Sequence, residues 1–245
     1  MSDPSAPPAQ PVRRTLPGRD LSVRTVAWIT VAVFVALTVP QISPTFYKAH
    51  FDGDFGVVHL AEAFLLASAL GFALVALLRP GTDWPKGARL WLGLIALGLF
   101  VLLGEDFEWG QDVFGWETTG WFAQYNDEGE TNFHNTSVWL DQYPRAVLYA
   151  GMMLGAIVHP LMVRRRGKGI FDKWPDWFVP TLACTPPALG NFVVWLPKLI
   201  DKSDLIEGVK LQVGRASERQ EVFIYMFMLV YVLSLASRLR STEKA

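Results

Sequence analysis

Cysteine and charge are both scarce in this sequence of 245 residues. The single cysteine, Cys184, excludes an internal disulfide and a metal site built from cysteines. Because Cys184 lies in an apolar run, we expect it to be a small buried residue. Charged residues make up 18% of the chain, below the roughly 25% of soluble domains, and 51% of the residues are apolar. There is no basic patch with interleaved aromatic residues, so we expect no nucleic acid partner.

The N-terminal end differs in composition from everything that follows. Residues 1–21 are rich in proline, alanine and polar side chains and cannot bury enough apolar surface to fold. We therefore predict a disordered cytoplasmic tail over 1–21 and a transmembrane domain over 22–240. Arg13 and Arg14 resemble a twin-arginine signal, but no clear cleavage site follows the first apolar run, so we expect that run to be retained.

Long apolar segments dominate the remaining chain and predict an all-α, polytopic membrane bundle. Each segment is close to the roughly 20 residues that a helix needs to cross a bilayer. Six such spans are predicted, at about 23–39, 55–78, 88–104, 145–163, 177–199 and 220–239.

Charges alternate between the loops in a way that predicts the orientation of the spans. The soluble segments on the side of the two termini hold 15 of the 22 basic residues but only 6 of the 23 acidic residues. Lysine and arginine accumulate in cytoplasmic loops. We therefore predict a protein of the cell (inner) membrane with both termini cytoplasmic and with the loop 105–141 at the outer interface.

The fifth predicted span is rich in proline. Pro180, Pro186 and Pro187 lack N–H donors, and Gly190 follows them. A kinked helix is expected there, which is either an ordinary proline kink or a discontinuous helix that lines a site. We expect Asn191, in the same span, to face the interior of the bundle.

Several carboxylates and imidazoles are predicted to meet near the outer ends of the spans. His59 and Glu62 are three residues apart near the start of the second span, and therefore share a helical face. Glu105 ends the third span, and His134 lies in the loop after it. These four residues are predicted to ligate one metal ion or to form one hydrogen-bonded cluster. Oxygen and nitrogen ligands without thiolate suit Zn, Fe or Mn.

Two further acids complete the candidate site. Glu108, after the third span, and Glu221, at the start of the sixth, are candidates for a general base, as is Glu105. Purely structural explanations stay open for all of these groups. Glu105 and Glu108 are also explained as the wetted end of a helix, and His134 as a hydrogen-bonding anchor of the loop. A buried Glu62 requires a partner, a metal or a proton.

Two motifs in this region resemble a known family. Glu-Asp-Phe-Glu-Trp-Gly-Gln (105–111) and Gly-Glu-Thr-Asn-Phe-His-Asn (129–135) are similar to the motifs of a family of uncharacterised bacterial multi-pass membrane proteins. Asp106 preserves a carboxylate where that family has Glu, whereas Glu108 stands where it has Ser. The resemblance implies a shared site in a membrane protein, and it implies no particular reaction.

Three classes of function are compatible with this pattern. The first is a metal-dependent enzyme that acts on a lipid or lipid-linked substrate at the outer leaflet. The second is a non-catalytic subunit of a larger membrane assembly, with other membrane proteins as partners. The third is a proton- or ion-coupled transporter that uses Glu62 and the proline-rich span. Membrane lipids are the expected surroundings in all three.

Overall fold

The computed structural model describes residues 20–53, 55–79, 84–126, 129–203 and 216–240. These residues form helices and connecting turns without any strand, so the all-helical class predicted from the sequence is confirmed for them. Their α-helices are α1 (Val23–Thr38), α2 (Pro44–His50), α3 (Val57–Leu77), α4 (Ala88–Asp106), α5 (Gln111–Phe114), α6 (Gly120–Tyr125), α7 (Val138–Gly151), α8 (His159–Arg166), α9 (Thr185–Ser203) and α10 (Ala216–Arg240).

Five helical stretches among the described residues are long and apolar enough to cross a membrane. They are Val23–Ile42, Val57–Leu77, Ala88–Asp106, Val138–Arg166 and Ser217–Leu239. They correspond to the predicted spans 1, 2, 3, 4 and 6, and the fold is that of a helical membrane bundle. The predicted fifth span falls on α9, whose last two turns carry Lys198, Asp201 and Lys202 and therefore shorten its apolar part.

The helix α10 forms the centre of the bundle. It packs against both α3 and α9, while α4 packs on α3 and α1 packs on α9. Gly190 permits the close contact of α9 with α10, because a Cβ atom at this position would lie 2.6 Å from Cδ1 of Phe223. Cys184 is buried in the apolar core, as its sequence context predicts.

The prolines of the fifth span act differently from the prediction. Pro186 and Pro187 occupy the first turn of α9, which begins at Thr185. Proline is tolerated there because the first N–H groups of a helix have no intrahelical partner. These two prolines therefore start a helix and do not kink one, and Pro197 is the proline inside α9.

The connection between α7 and α8 is a π-helical stretch, Met152–Val158. Wide turns of this kind leave backbone carbonyls without their usual helical donor. The carbonyl of Ala156 accepts a hydrogen bond of 2.6 Å from the Thr185 hydroxyl. The stretch therefore fastens this long helix to the start of α9. The helix itself begins earlier than predicted, because Ser137 accepts a hydrogen bond from Trp139 N–H and caps α7.

The two ends of the bundle differ in charge. We call the end where α3 and α10 begin and α4 stops the acidic end, and the opposite one the basic end. At the basic end, Asp20 accepts a hydrogen bond of 2.7 Å from Ser234, which also lies 3.1 Å from the Thr181 hydroxyl. Arg238 donates to the backbone carbonyls of Ser234 and Asp176.

These contacts bear on the predicted N-terminal tail. Residues 1–19 lie outside the described residues. Asp20 and Leu21, the last two residues of the predicted tail, are in contact with the bundle, because Asp20 bonds to Ser234 and Leu21 packs against the apolar core.

Tyr47 joins the short helix α2 to α10 at the acidic end. Its hydroxyl accepts a hydrogen bond of 3.2 Å from Arg219, and the guanidinium lies 5.7 Å from the centre of its ring. Burial raises the pKa of Tyr47, while the hydrogen bond and charge of Arg219 lower it. The phenol therefore stays neutral and serves Arg219 as an acceptor.

Candidate functional site

Two helix ends bring one imidazole and two carboxylates together at the acidic end. His59 and Glu62 lie in the first two turns of α3, and Asp106 is the last residue of α4. One potential ligand atom from each of the three residues lies within 4.8 Å of the other two. The imidazole Nδ1 of His59 is 3.6 Å from Oε2 of Glu62. We call these residues the His59–Glu62–Asp106 group.

Of the two carboxylates of this group, Glu62 is buried and Asp106 half-buried, and both are only partly bonded. Glu62 is 1% exposed, and its Oε1 has no hydrogen-bond partner. The Oδ2 atom of Asp106 is likewise buried without a partner, while Oδ1 accepts a hydrogen bond of 3.2 Å from the Tyr225 hydroxyl. A buried carboxylate oxygen without a donor is costly, and a cation or a proton removes that cost.

The surroundings of the group carry mostly negative charge. The carboxylates of Asp106, Glu218 and Glu221 add negative charge to the surroundings of Glu62. Arg145 adds a positive charge. Arg145 lies in α7 and forms an ion pair of 2.8 Å with Glu221 in α10. An excess of buried or half-buried carboxylates over cations favours the binding of a further cation.

The donors fit a divalent transition metal. One imidazole and two carboxylates are ligands that Zn, Fe and Mn accept, and three protein ligands are typical of catalytic zinc sites. Two donors at roughly 2.0–2.2 Å from one ion in tetrahedral geometry are about 3.3–3.6 Å apart. The potential ligand atoms lie within 4.8 Å of one another, so the side chains need to close by up to about 1 Å to hold an ion.

Glu105, next to Asp106 in the chain, has a different environment. Its Oε2 accepts hydrogen bonds from the backbone N–H groups of Phe133 at 2.7 Å and His134 at 3.0 Å. The same oxygen lies 3.4 Å from Nδ1 of His134, and Oε1 accepts a hydrogen bond of 2.8 Å from the Trp109 indole. Glu105 therefore holds the loop that follows α4 against the end of that helix.

A tight turn makes this arrangement possible. Three consecutive residues have positive φ, namely Glu108 at 47°, Trp109 at 56° and Gly110 at 98°. This conformation is unfavourable for residues with a Cβ atom and requires support from contacts. The indole of Trp109 provides it by folding back onto Gly104, where an added Cβ would lie only 2.7 Å from the ring.

The second motif is bonded to the first at several points. Oε1 of Gln111 accepts hydrogen bonds from Thr131 N–H at 2.7 Å and from the Thr118 hydroxyl at 3.0 Å. Its amide nitrogen donates to the Gly129 carbonyl at 3.1 Å. Together with Glu105, Gln111 therefore joins residues 105–111 to residues 129–135. We call these bonds the loop clamp.

Hydrogen bonds within the second motif make it rigid. Oε2 of Glu130 accepts from the side-chain amides of Asn132 at 2.7 Å and Asn135 at 2.5 Å. Asn132 in turn accepts a hydrogen bond of 2.9 Å from the side chain of Asn126. Most polar residues of the two motifs thus have a structural explanation.

The four predicted ligands are distributed over two neighbouring sets. His59 and Glu62 belong to the three-residue group, whereas Glu105 and His134 pair within the loop clamp. Of the predicted general bases, Glu221 pairs with Arg145, and Glu108 lies in the tight turn. The roles of all six residues in metal binding or catalysis stay predictions. Glu128 and Arg215, which are close to the predicted site in sequence, lie outside the described residues.

Sequence reasoning passed over Asp106 and gave Tyr225 no role. The buried face of α4 contains Leu92, Ala96 and Leu99. Asp106 follows Leu99 by seven residues, or about two helical turns, and so lies on the same face, whereas Glu105 does not. This spacing was a signal that Asp106 is the acid that points into the bundle.

Comparison with known proteins gives no match for this chain among protein-family models, curated proteins or solved structures.

Proposed function

We propose that the chain is an integral membrane enzyme that holds a Zn, Fe or Mn ion at the His59–Glu62–Asp106 group and acts on a lipid or lipid-linked substrate. The observation that carries this proposal is the convergence of three potential ligands, two of which have a buried oxygen without a hydrogen-bond partner. The ion would polarise a carbonyl or phosphoryl oxygen of the substrate as a Lewis acid.

The protein's own residues would orient the ligands and transfer protons. The Tyr225 hydroxyl bonds to one oxygen of Asp106 and leaves the other for an ion. Glu105 lies 3.4 Å from Nδ1 of His134, an arrangement in which a carboxylate fixes an imidazole and leaves Nε2 to accept a proton. His134 is therefore a better candidate base than Glu105, whose two oxygens are bonded, or Glu221, which pairs with Arg145.

The proposal includes a topology. The acidic end faces the outside of the cell membrane and the basic end the cytoplasm, because lysine and arginine accumulate in cytoplasmic loops. Exposed aromatic side chains such as Trp121, Trp139 and Tyr143 support a position of the acidic end at the lipid headgroups. Labelling of a cysteine placed at Tyr125, in a Cys184→Ala background, should occur from the outside only.

Transport fits the described residues less well. Beyond Glu62, the buried residues of α3 are Leu66, Ala69, Ala73 and Ala76, all of which are apolar. A coupled transporter needs a polar route through both leaflets. The described part of α3 therefore supports a site at one face of the membrane.

Metal analysis of the purified full-length protein tests the proposal. After equilibration with Zn, Fe or Mn, the wild type should retain near-stoichiometric metal, and Glu62→Gln and Asp106→Asn should lose most of it. Glu105→Gln is the matched control and should keep its metal, because its carboxylate is bonded within the loop clamp. Mass spectrometry of vesicle lipids incubated with the wild type and with Glu62→Gln then tests for a lipid product.

Two outcomes would contradict the proposal. Equal metal content in the wild type and in Glu62→Gln would place any metal elsewhere. A wild type that retains none of the three metals would favour the alternative, a non-catalytic subunit of a membrane assembly.

A further inference from the structure

Arg145 is a partly exposed cation at the acidic end, and its position suits the binding of a substrate. It pairs with Glu221 at 2.8 Å, and Glu221 lies one helical turn before Tyr225, whose hydroxyl bonds to Asp106 of the three-residue group. The Arg145 side chain is 36% exposed, whereas the Glu62 side chain is 2% exposed. Arg145 is therefore far more accessible to a ligand than the Glu62 carboxylate.

The depth of Arg145 is indicated by its neighbours in α7. Trp139 and Tyr143 are 67% and 53% exposed, and their rings stack with centres 4.1 Å apart. Exposed tryptophan and tyrosine side chains are typical of the headgroup region of a membrane. Arg145 follows Tyr143 by two residues, or about 3 Å along the helix axis, so we expect its guanidinium to be within reach of lipid phosphates.

The guanidinium suits a phosphate chemically. Its planar fork donates several N–H groups, and one of its nitrogens, Nη2, contacts Glu221 at 2.8 Å. Arginine binds phosphate oxygens through two parallel hydrogen bonds, and a nearby metal ion would bind another oxygen of the same group. A headgroup without a phosphate would not offer this pair of charged acceptor oxygens.

We propose that Arg145 binds the phosphate of an anionic lipid headgroup beside the His59–Glu62–Asp106 group, with Glu221 as the residue that holds Arg145 in the absence of lipid. This inference rests on the proposed function, and it specifies the substrate class as a lipid that carries a phosphate. A soluble phosphate ester offers the same phosphate oxygens as such a lipid, and the experiment below distinguishes the two.

Binding is measured by calorimetry with the detergent-purified, Mn-equilibrated full-length protein. The probes are dihexanoyl phosphatidic acid and inorganic phosphate. Arg145→Gln should weaken phosphatidic acid binding by about tenfold to a hundredfold, since it removes charge-assisted hydrogen bonds. Arg145→Lys should have an intermediate affinity, because lysine keeps the charge but not the fork.

Two further variants separate binding from folding. Arg89→Gln, which changes an arginine near Trp84 at the basic end, is the matched control and should bind phosphatidic acid like the wild type. Glu221→Gln keeps Arg145 and weakens its restraint, so it should bind phosphatidic acid at least as tightly as the wild type. A loss of binding in Glu221→Gln equal to that in Arg145→Gln would overturn the inference, because it would reveal a structural role for the ion pair.

Two further outcomes would contradict the inference or its assignment to a lipid. If Arg145→Gln retains metal but binds phosphatidic acid like the wild type, the inference is wrong and the metal site stands. If inorganic phosphate binds as tightly as phosphatidic acid, the ligand is a soluble phosphate ester and the lipid assignment fails. Loss of metal from the Glu62→Gln variant tests the proposed function independently of either result.

Discussion

Two adjacent acids, Glu105 and Asp106, belong to regions that use carboxylates in opposite ways. In the loop clamp, Glu105 accepts two backbone N–H groups and an indole N–H, so both of its oxygens are bonded. In the three-residue group, one oxygen of Asp106 and one of Glu62 are buried without a partner. Hydrogen-bond satisfaction, and not position in a motif, therefore separates the structural acid from the candidate ligand.

The partners of the two regions differ as well. Glu105 is surrounded by neutral donors that stabilise its negative charge. Glu62 and Asp106 have potential ligand atoms within 4.8 Å of each other, so they repel each other when both are ionised, and the Tyr225 hydroxyl gives one hydrogen bond to the pair. The loop clamp is complete without a ligand, whereas the group gains stability from any cation that joins it.

The largest expected effect is that of metal removal on stability. An ion that binds only the folded state stabilises it by about 4 kcal/mol when its concentration is a thousand times its dissociation constant. Treatment of the metal-equilibrated protein with a chelator should therefore lower the midpoint of thermal unfolding, and added metal should restore it. The same treatment of Asp106→Asn should leave the midpoint unchanged.

A second measurement tests how strongly Glu105 holds the loop clamp. Glu105→Gln weakens the acceptor of the Phe133 and His134 N–H groups, because a neutral amide oxygen replaces a carboxylate. We expect local opening to be favoured by about 1.5–3 kcal/mol. Hydrogen–deuterium exchange of residues 129–135 should accelerate accordingly, without a change in metal content.

The exposed Glu117 provides the control for that experiment. Glu117→Gln removes the same charge from the same loop, and Glu117 is exposed. Exchange of residues 129–135 should stay as in the wild type. If Glu117→Gln accelerated exchange as much as Glu105→Gln, net charge and not the loop clamp would hold the loop.

The sequence predicted the membrane bundle well because its signals are additive. Apolar runs of helical length define the five stretches that are able to span, and their approximate bounds follow from charged and proline-rich flanks. The fifth predicted span was less accurate, because the pattern does not show whether prolines kink a helix or start it. Only the backbone of α9 shows that Pro186 and Pro187 lie in its first turn.

The candidate site was predicted only in part, for a physical reason. Spacing of three residues on α3 correctly paired His59 with Glu62. The end of α4 could not be placed as easily, because the tight turn at Glu108 and Trp109 is a backbone conformation that residues other than glycine rarely adopt. The spacing after Leu99 favours Asp106 as the acid that faces the bundle, but without that turn nothing in the pattern shows that Glu105 bonds to the loop.

A third change tests whether the turn depends on Gly104. Gly104→Ala places a Cβ atom 2.7 Å from the Trp109 ring, so the indole must move. We expect a loss of about 1–3 kcal/mol in the stability of the loop clamp, as for other overpacked sites. Denaturant unfolding monitored by tryptophan fluorescence would measure it.

Gly98 in the same helix is the matched control. A Cβ atom at Gly98 meets nothing within 4 Å, so Gly98→Ala should be neutral or slightly stabilising. Destabilisation of equal size in both variants would show that α4 tolerates no added methyl group, and it would remove the special role assigned to Trp109.

The smallest expected effect on stability is that of replacing Asn191. This substitution tests whether every buried polar group without a hydrogen-bond partner indicates a ligand. Asn191 is fully buried in α9, and neither polar atom of its side chain has a hydrogen-bond partner. Unlike Glu62, Asn191 carries no charge and does not belong to the three-residue group. Asn191→Leu should therefore stabilise the protein by up to about 1 kcal/mol, because an apolar side chain of similar size replaces an unsatisfied amide.

Asn132→Leu is the contrasting variant, since Asn132 is also buried but is bonded to Asn126 and Glu130. Loss of these hydrogen bonds should destabilise the loop. Thermal unfolding of both variants measures the difference, and destabilisation by Asn191→Leu would show that this amide binds something that its neighbours in the chain do not supply.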